Sequence, residues 1–533
     1  MKHRMKYIVA LLVTGMVFTA CENLFDVDSD RYMSLEKNKL NNPGDSFYSL
    51  LGILKQLRDL NDKYVVLNEL RGDLMDVSEY ADIELQDINH FKADISNPWI
   101  WARDYYTVIN SCNYLIDRTG PIGNTDENPM LLEVVQAKTI RAWVYLQLLS
   151  NYGKAIYLEK PVVTLEDAQK QYTFSGYDVI LPKLIEDMKP WAETGLPRYG
   201  SIGSVDSDKL MIDTRFVLGD LYLWNRNYRE AAQTYYSLIR EKSLVVSDTY
   251  RSSWNSSGLS RNYSWNAIFS NTDQIISMIV FDESFYSRLY SLTGSVNSML
   301  VPSENYMNLA QSQIYSDFFI VNSNRVEVTK EGDLRGEGGA YSLIRYTSTT
   351  TGSGENVVIN KYNIASGKRV YLYRRTQLYL RYAEAVNQLN KPTLALAILN
   401  EGLNARTTSP ITGNINVSEI TPLEPWMNFT SAIFDSNIGT RQRGLGMNAS
   451  NFIAIPPFTI DSIGFVERAL RDELALEMAF EGCRFPDLMR MARHRNNPSL
   501  LADAVAEKHP ANKEAMRAFL MQEKNWYLPY PEK

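Results

Sequence analysis

The chain has 533 residues, 45% of them hydrophobic, and a formal net charge of −7. An acidic chain without a Lys/Arg-rich patch is a poor match for nucleic acid or anionic lipid headgroups. Its length accommodates about three ordinary domains, or one large helical array with insertions.

Lys2, Arg4 and Lys6 form a positive start, Ile8 to Phe18 an apolar stretch, and Phe18-Thr19-Ala20-Cys21 brings small residues up to a cysteine. That stretch is too short to cross a bilayer, which takes roughly 20 apolar residues. Residues 1–20 therefore read as a lipoprotein signal peptide, although Phe18 stands where Leu is usual. Cleavage before Cys21 exposes a thiol and a new amine for acylation. The mature chain is then 21–533, with a net charge of −10 once the three basic residues leave. No later stretch is apolar enough to span a membrane, so the expected form is a soluble body on a lipid tether.

Four stretches carry helical periodicity. Trp101, Tyr105, Ile109 and Asn113 recur every four residues, which places Trp101 in the core. Ala137 to Tyr152 carries Ile140, Val144 and Leu148 on one face, buries Trp143, and ends at Gly153, a good C-cap. Thr214 to Arg240 reads helix–turn–helix, with Trp224 in the core and a break at Asn225-Arg226-Asn227. Leu218-Gly219, Tyr222, Tyr228 and Ala231-Ala232 resemble the small-and-large packing pattern of tetratricopeptide hairpins. Thr376 to Arg406 repeats the layout around Asn390-Lys391-Pro392. Such hairpins bury their apolar faces only by stacking side by side. The predicted fold is all-α dominated: a tetratricopeptide-like scaffold over roughly 35–240, 371–406 and 466–533. Residues 241–370 and 407–465 are polar, Gly- and Pro-bearing insertions of loops and short strands, and long loops on a rigid scaffold commonly carry function.

Periodicity returns over Val466 to Arg493. There Leu470-Arg471-Asp472-Glu473, Glu477-Met478-Ala479-Phe480-Glu481-Gly482-Cys483-Arg484, Asp487-Leu488 and Arg490 resemble the C-terminal helix of the SusD/RagB family. Tyr379 to Asn387, Leu399-Asn400 with Asn404-Ala405-Arg406, Arg141-Ala142 through Gly153, and the ending Tyr527-Leu528-Pro529-Tyr530-Pro531 fit the same family. Leu474 stands where a basic residue is common, and Cys483 where His is common. The resemblance implies a single SusD-like domain over 21–533, anchored to the outer membrane and facing the exterior. Asp26, Asp28 and Asp30 are similar to tethers that send such lipoproteins to the outer leaflet. It also implies a role in binding an oligosaccharide, or a peptide, and delivering it to a SusC-like TonB-dependent transporter partner.

No phosphate loop, G-x-S-x-G or paired-cysteine metal motif is visible, and His3, His90, His494 and His509 share no metal-ligand spacing. No cofactor, metal or enzymatic activity is expected. Glu473, Glu477 and Glu481 at i, i+4 and i+8 admit a glycosidase carboxylate pair as a remote alternative. An ion-pair network with Arg471 and Arg484 nearby is the favoured reading. Cys112 and Cys483 are either a disulfide or two separately buried thiols. The ligand-contact candidates are Trp99, placed just outside the Trp101 face and pointing outward, with Arg71, Asp73 and Tyr80 upstream in the region that resembles the family's ligand face. Phe285, Tyr286 and Tyr290 in the middle insertion are candidates for the opposite wall. An aromatic ring covers the apolar C–H face of a sugar while polar neighbours take its hydroxyls.

Overall fold

The computed structural model describes residues 40, 43–119, 130–202, 205–246, 253–254, 261–262, 274–281, 291–292, 294–348, 352–362, 368–445 and 451–530. It begins on a 28-residue helix, α1 (Pro43–Leu70), whose second half is almost wholly buried. The further helices, in chain order, are α2 (Ile83–Asn89), α3 (Arg103–Arg118), α4 (Leu131–Tyr152), α5 (Leu165–Gln169), α6 (Tyr177–Met188), α7 (Thr214–Trp224) and α8 (Tyr228–Glu241). After the middle insertion, which holds α9 (Glu304–Gln311), come α10 (Arg375–Gln388), α11 (Pro392–Asn400), α12 (Ser462–Met478), α13 (Arg484–His494), α14 (Ser499–Glu507) and α15 (Lys513–Leu520). Among the described residues no helix is long and apolar enough to cross a membrane.

The predicted hairpins form, and their turns share one chemistry. After α7, Arg226 takes a left-handed φ of 62° while Asn227 N–H donates to Tyr222 O at 2.9 Å. After α10, Asn390 takes φ 60° while Lys391 N–H donates to Val386 O at 3.2 Å. Both are helix ends closed by a six-to-one bond over a left-handed residue. Gly219 supplies close approach inside the first hairpin, since a Cβ there would lie 2.3 Å from Tyr235 Cε1. The hairpins stack as the pattern required: α8 packs on α10, α10 on α12, and α4 on α3, α6 and α7. Trp143 and Trp224 are buried as expected. Cys112 and Cys483 are separate, buried, free thiols.

The described part of the middle insertion contains antiparallel strand pairs. Ile275–Phe281 pairs with Lys368–Arg374, Ile314–Val321 with Asn324–Glu331, and Tyr341–Ser348 with Gly352–Ile359. Residues 407–445 are turns and short 3-10 segments.

Two sequence expectations change. The stretch from Val466 to Arg493 is two helices, because the chain turns at Phe480 (φ 68°) and Gly482 (φ 82°). Buried Glu69 at the end of α1 fixes that turn, accepting from the backbone N–H groups of Phe480, Gly482, Cys483 and Arg484 at 2.7–3.3 Å. A carboxylate on the amides that open α13 is the arrangement a helix N-terminus favours. Glu481 therefore lies beyond the helix it was predicted to share with Glu473 and Glu477.

The second change is the identity of the cations. Glu477 accepts from Arg335 Nη1 (3.0 Å), Arg374 Nη1 (2.8 Å) and Arg443 Nε (3.2 Å), and Glu473 accepts from Arg335 Nη1 at 2.7 Å. Glu481 pairs with Arg374 and Lys361. Arg471 instead lies near Asp472, and Arg484 pairs with Asp73. Every side chain in the network is nearly or fully buried. It ties the middle insertion, α10 and the 440–444 turn onto α12.

Candidate functional site

A cleft of about 670 Å³ opens between the middle of α1, the Asn97–Trp101 turn and the start of α3. Local sequence builds it. Asn97 Oδ1 accepts from Trp99 N–H at 3.0 Å, capping a 3-10 turn over Pro98–Ile100, and α3 begins only at Arg103. Trp101 therefore precedes the helix and escapes its buried face, while Tyr105, Ile109 and Asn113 keep theirs.

The half-buried Trp101 lines this cleft. Its indole N–H donates to Ile95 O at 3.3 Å, which fixes the ring plane. The Arg103 guanidinium lies 4.0 Å from the ring centroid on a side chain that is 70% exposed. Lys63 Nζ sits 6.0 Å from the same centroid, donates to Pro98 O at 2.7 Å, and pairs with Asp104 Oδ2 at 2.5 Å. Gln56, Asp59 and Thr107 add polar groups to the walls. A mostly apolar floor with a few placed donors and acceptors is the composition of a small-molecule site. Stacking on the indole, donation from Arg103 and Gln56, and acceptance by Asp59 are the chemistry available.

The structure redistributes the predicted contacts. Trp99 is only 7% exposed and belongs to the main core, so it does not point outward, although it still lines the cleft. Trp101, assigned to the core by periodicity, is the more open of the two. Arg71 is fully buried and donates to Leu67 O and Trp526 O, both at 2.9 Å, and to Asn151 Oδ1. Its guanidinium also stacks on Phe485 at 4.4 Å, and burial pushes its pKa down to about 10. Buried Asp73 takes a bidentate pair from Arg484 at 2.6 and 2.8 Å. Burial alone would raise the Asp73 carboxyl, and the Arg484 guanidinium outweighs it and holds it below the usual range. Arg71 and Asp73 are thus engaged in the scaffold and do not line the cleft. Tyr80 is 67% exposed and does not line the cleft. Cys21, Phe285, Tyr286 and Tyr290 lie outside the described residues. Lys63, Arg103 and Asp104 were missed, and the available signal was Asn97-Pro98, a cap followed by a helix-opening proline.

Glu473 and Glu477 of α12 are enclosed by arginines. Burial alone would raise the Glu477 carboxyl, and Arg443, Arg374 and Arg335 outweigh it and hold it well below the usual range. Burial raises that of Glu473 against the pull of Arg335. Both are fully buried. Among the described residues no cluster of three or more His, Cys, Asp or Glu is placed to hold a metal ion.

Known proteins agree on the fold. The SusD family model matches residues 322–533. A SusD superfamily protein from Bacteroides vulgatus superposes with a TM-score of 0.57 at 14% identity, covering 93% of this chain and 97% of its own. NanU of B. fragilis gives 0.56 at 16%, covering 89% and 93%. A SusD-like carbohydrate binding protein from B. vulgatus gives 0.55 at 15%, covering 85% and 84%. No curated protein matches the chain. The C-terminal part of the chain thus matches the SusD family model, and the chain carries the fold of SusD superfamily structures along its length.

Proposed function

We propose that the protein binds an oligosaccharide at the cell surface in the Trp101 cleft and passes it to a TonB-dependent transporter. The observation that carries this is the indole of Trp101, held in plane at the floor of a 670 Å³ cleft and ringed by charged and amide side chains. Sugars need that pairing of an aromatic face with hydroxyl partners. A structural relative named as carbohydrate binding supports the ligand class. Trp99, which lines the same cleft, completes the proposed contact set. A peptide in the same cleft is the competing reading, since amides also hydrogen-bond to such walls.

Glu473 and Glu477 are fully buried and paired with arginines, which favours a binder over a glycosidase. Lipid attachment at Cys21 keeps the binder at the outer membrane. A tethered binder cannot itself move ligand through a bilayer, so a partner barrel supplies the passage. Confining ligand between two surfaces raises its effective concentration, and modest affinity then suffices. A glycan array probed with the soluble form truncated after Cys21 tests the ligand class. Binding to a family of related glycans supports the reading. Binding to peptides alone moves it to the competing ligand, and binding to neither class removes it.

A further inference from the structure

A second cleft, of about 320 Å³, opens between α12 and the end of α13, and shares no residue with the Trp101 cleft. Gly464, Arg468 and Arg471, at i, i+4 and i+7 of α12, form one side, and Leu488, Met491 and Arg495 face them. Three guanidiniums thus meet two carboxylates, Asp461 and Glu467, and both carboxylates are already engaged. Asp461 Oδ1 accepts from Gly464 N–H at 2.7 Å and so caps α12. Any Cβ on Gly464 would strike Asp461 Oδ2 at 2.1 Å, so the glycine keeps the cap in place. Glu467 accepts from Arg495 Nε at 3.1 Å and from Gln388 Nε2 at 2.8 Å.

The cations are less well matched. Arg495 pairs with Glu467 at 3.1 Å and lies 3.7 Å from Asp461 Oδ2, but its Nη2 is buried with no hydrogen-bond acceptor among the described residues. Arg471 comes no nearer to a carboxylate than 3.9 Å, to adjacent Asp472. Exposed Arg468 has a ring contact, to Phe465 at 5.9 Å, and no carboxylate within ion-pair distance among the described residues. On a chain with a net charge of −7 this is a local concentration of positive charge, with one buried donor unsatisfied among the described residues.

We infer that this cleft binds an oxyanion, a carboxylate or sulfate, carried by a small ligand whose apolar side rests on Leu488 and Met491. Guanidinium forks match the two oxygens of such a group, and a walled cleft strengthens their field. The shared chemistry is the oxyanion, whether on an acidic sugar or as a free inorganic ion.

The test is calorimetry on the full chain purified in detergent, with galacturonate, inorganic sulfate and galactose as probes. Galacturonate or sulfate binds, galactose does not bind in this cleft, and added sodium chloride weakens the anion. Galacturonate alone identifies an organic acid, and sulfate alone an inorganic ion. Arg468→Gln with Arg471→Gln weakens the anion at least tenfold, and the Lys versions restore part of it. Arg468 is exposed and Arg471 a quarter exposed, so the melting temperature should hold. If it does not, Arg468→Gln alone serves. Absence of anion binding to the unaltered protein, or equal affinity in the folded Gln variants, overturns the inference.

Discussion

Glu477→Gln should be among the most destabilising single-atom changes available in this chain. The residue is fully buried and accepts from three guanidiniums, those of Arg335, Arg374 and Arg443, at 2.8–3.2 Å. The amide keeps the shape but removes the negative charge and turns an NH₂ toward guanidinium donors. Breaking one side of a buried ion pair costs about 3–5 kcal/mol, because the remaining charges stay enclosed. With three cations dependent on one carboxylate, the upper part of that range is expected. Asp503→Asn is the control: its pair with Arg517 is about half exposed on both sides, and such pairs contribute about 1 kcal/mol or less. Urea unfolding followed by tryptophan fluorescence measures both. A Glu477→Gln loss no larger than that of Asp503→Asn would refute the idea that this network holds the insertion to the scaffold.

Three further outcomes follow from other parts of the molecule. Gly219→Ala should destabilise by about 1–3 kcal/mol although alanine is the better helix former, because its Cβ meets the Tyr235 ring, and a raised melting temperature would contradict this. His494 is lowered to about 3, first by burial and then by Arg490, so below pH 6.5 the unfolded chain takes up a proton that the folded chain refuses. Stability is therefore lost as pH falls through that window, by about 2 kcal/mol at pH 5, and His494→Gln, compared by urea unfolding at pH 5 and pH 8, should remove that part of the slope. Cys21→Ala should move the protein from the membrane fraction to the soluble one without lowering its melting temperature, and an unchanged distribution would exclude the lipid anchor.

Local pattern made the scaffold legible. The α7–α8 and α10–α11 hairpins follow from apolar spacing and from Asn-rich or Pro-bearing turns, all of which act within a few residues. The Gly153 cap follows in the same way, and its left-handed φ of 71° is the expected one. Long-range partners were not legible. Arg335 reaches Glu473 across 138 residues, and nothing in either neighbourhood names the other. The i, i+4, i+8 spacing of the three glutamates was real, but the turn that Glu69 imposes from the far end of the chain cut the helix before the third. The site shows the same division. The aromatic cluster near residue 100 was identifiable, yet extending helical periodicity back to Trp101 exchanged the roles of two tryptophans. A capped 3-10 turn at Asn97 decided which ring is the more open to the cleft. Arg71 and Asp73 sat near it in sequence while their side chains were drawn to Trp526, Asn151 and Arg484.

The most direct test of the proposed site is Trp101→Ala, titrated by calorimetry with a glycan identified on the array and paired with melting temperatures for Trp101→Ala and Trp143→Ala. A half-buried stacking ring contributes about 1 kcal/mol or more to binding, roughly fivefold in Kd, and little to stability. Trp143, at 2% exposure in the centre of α4, should instead lose about 3–5 kcal/mol of stability. The account predicts weakened glycan binding with a nearly unchanged melting temperature for Trp101→Ala. Undiminished affinity in that variant would contradict it and take the Trp101 cleft out of ligand recognition.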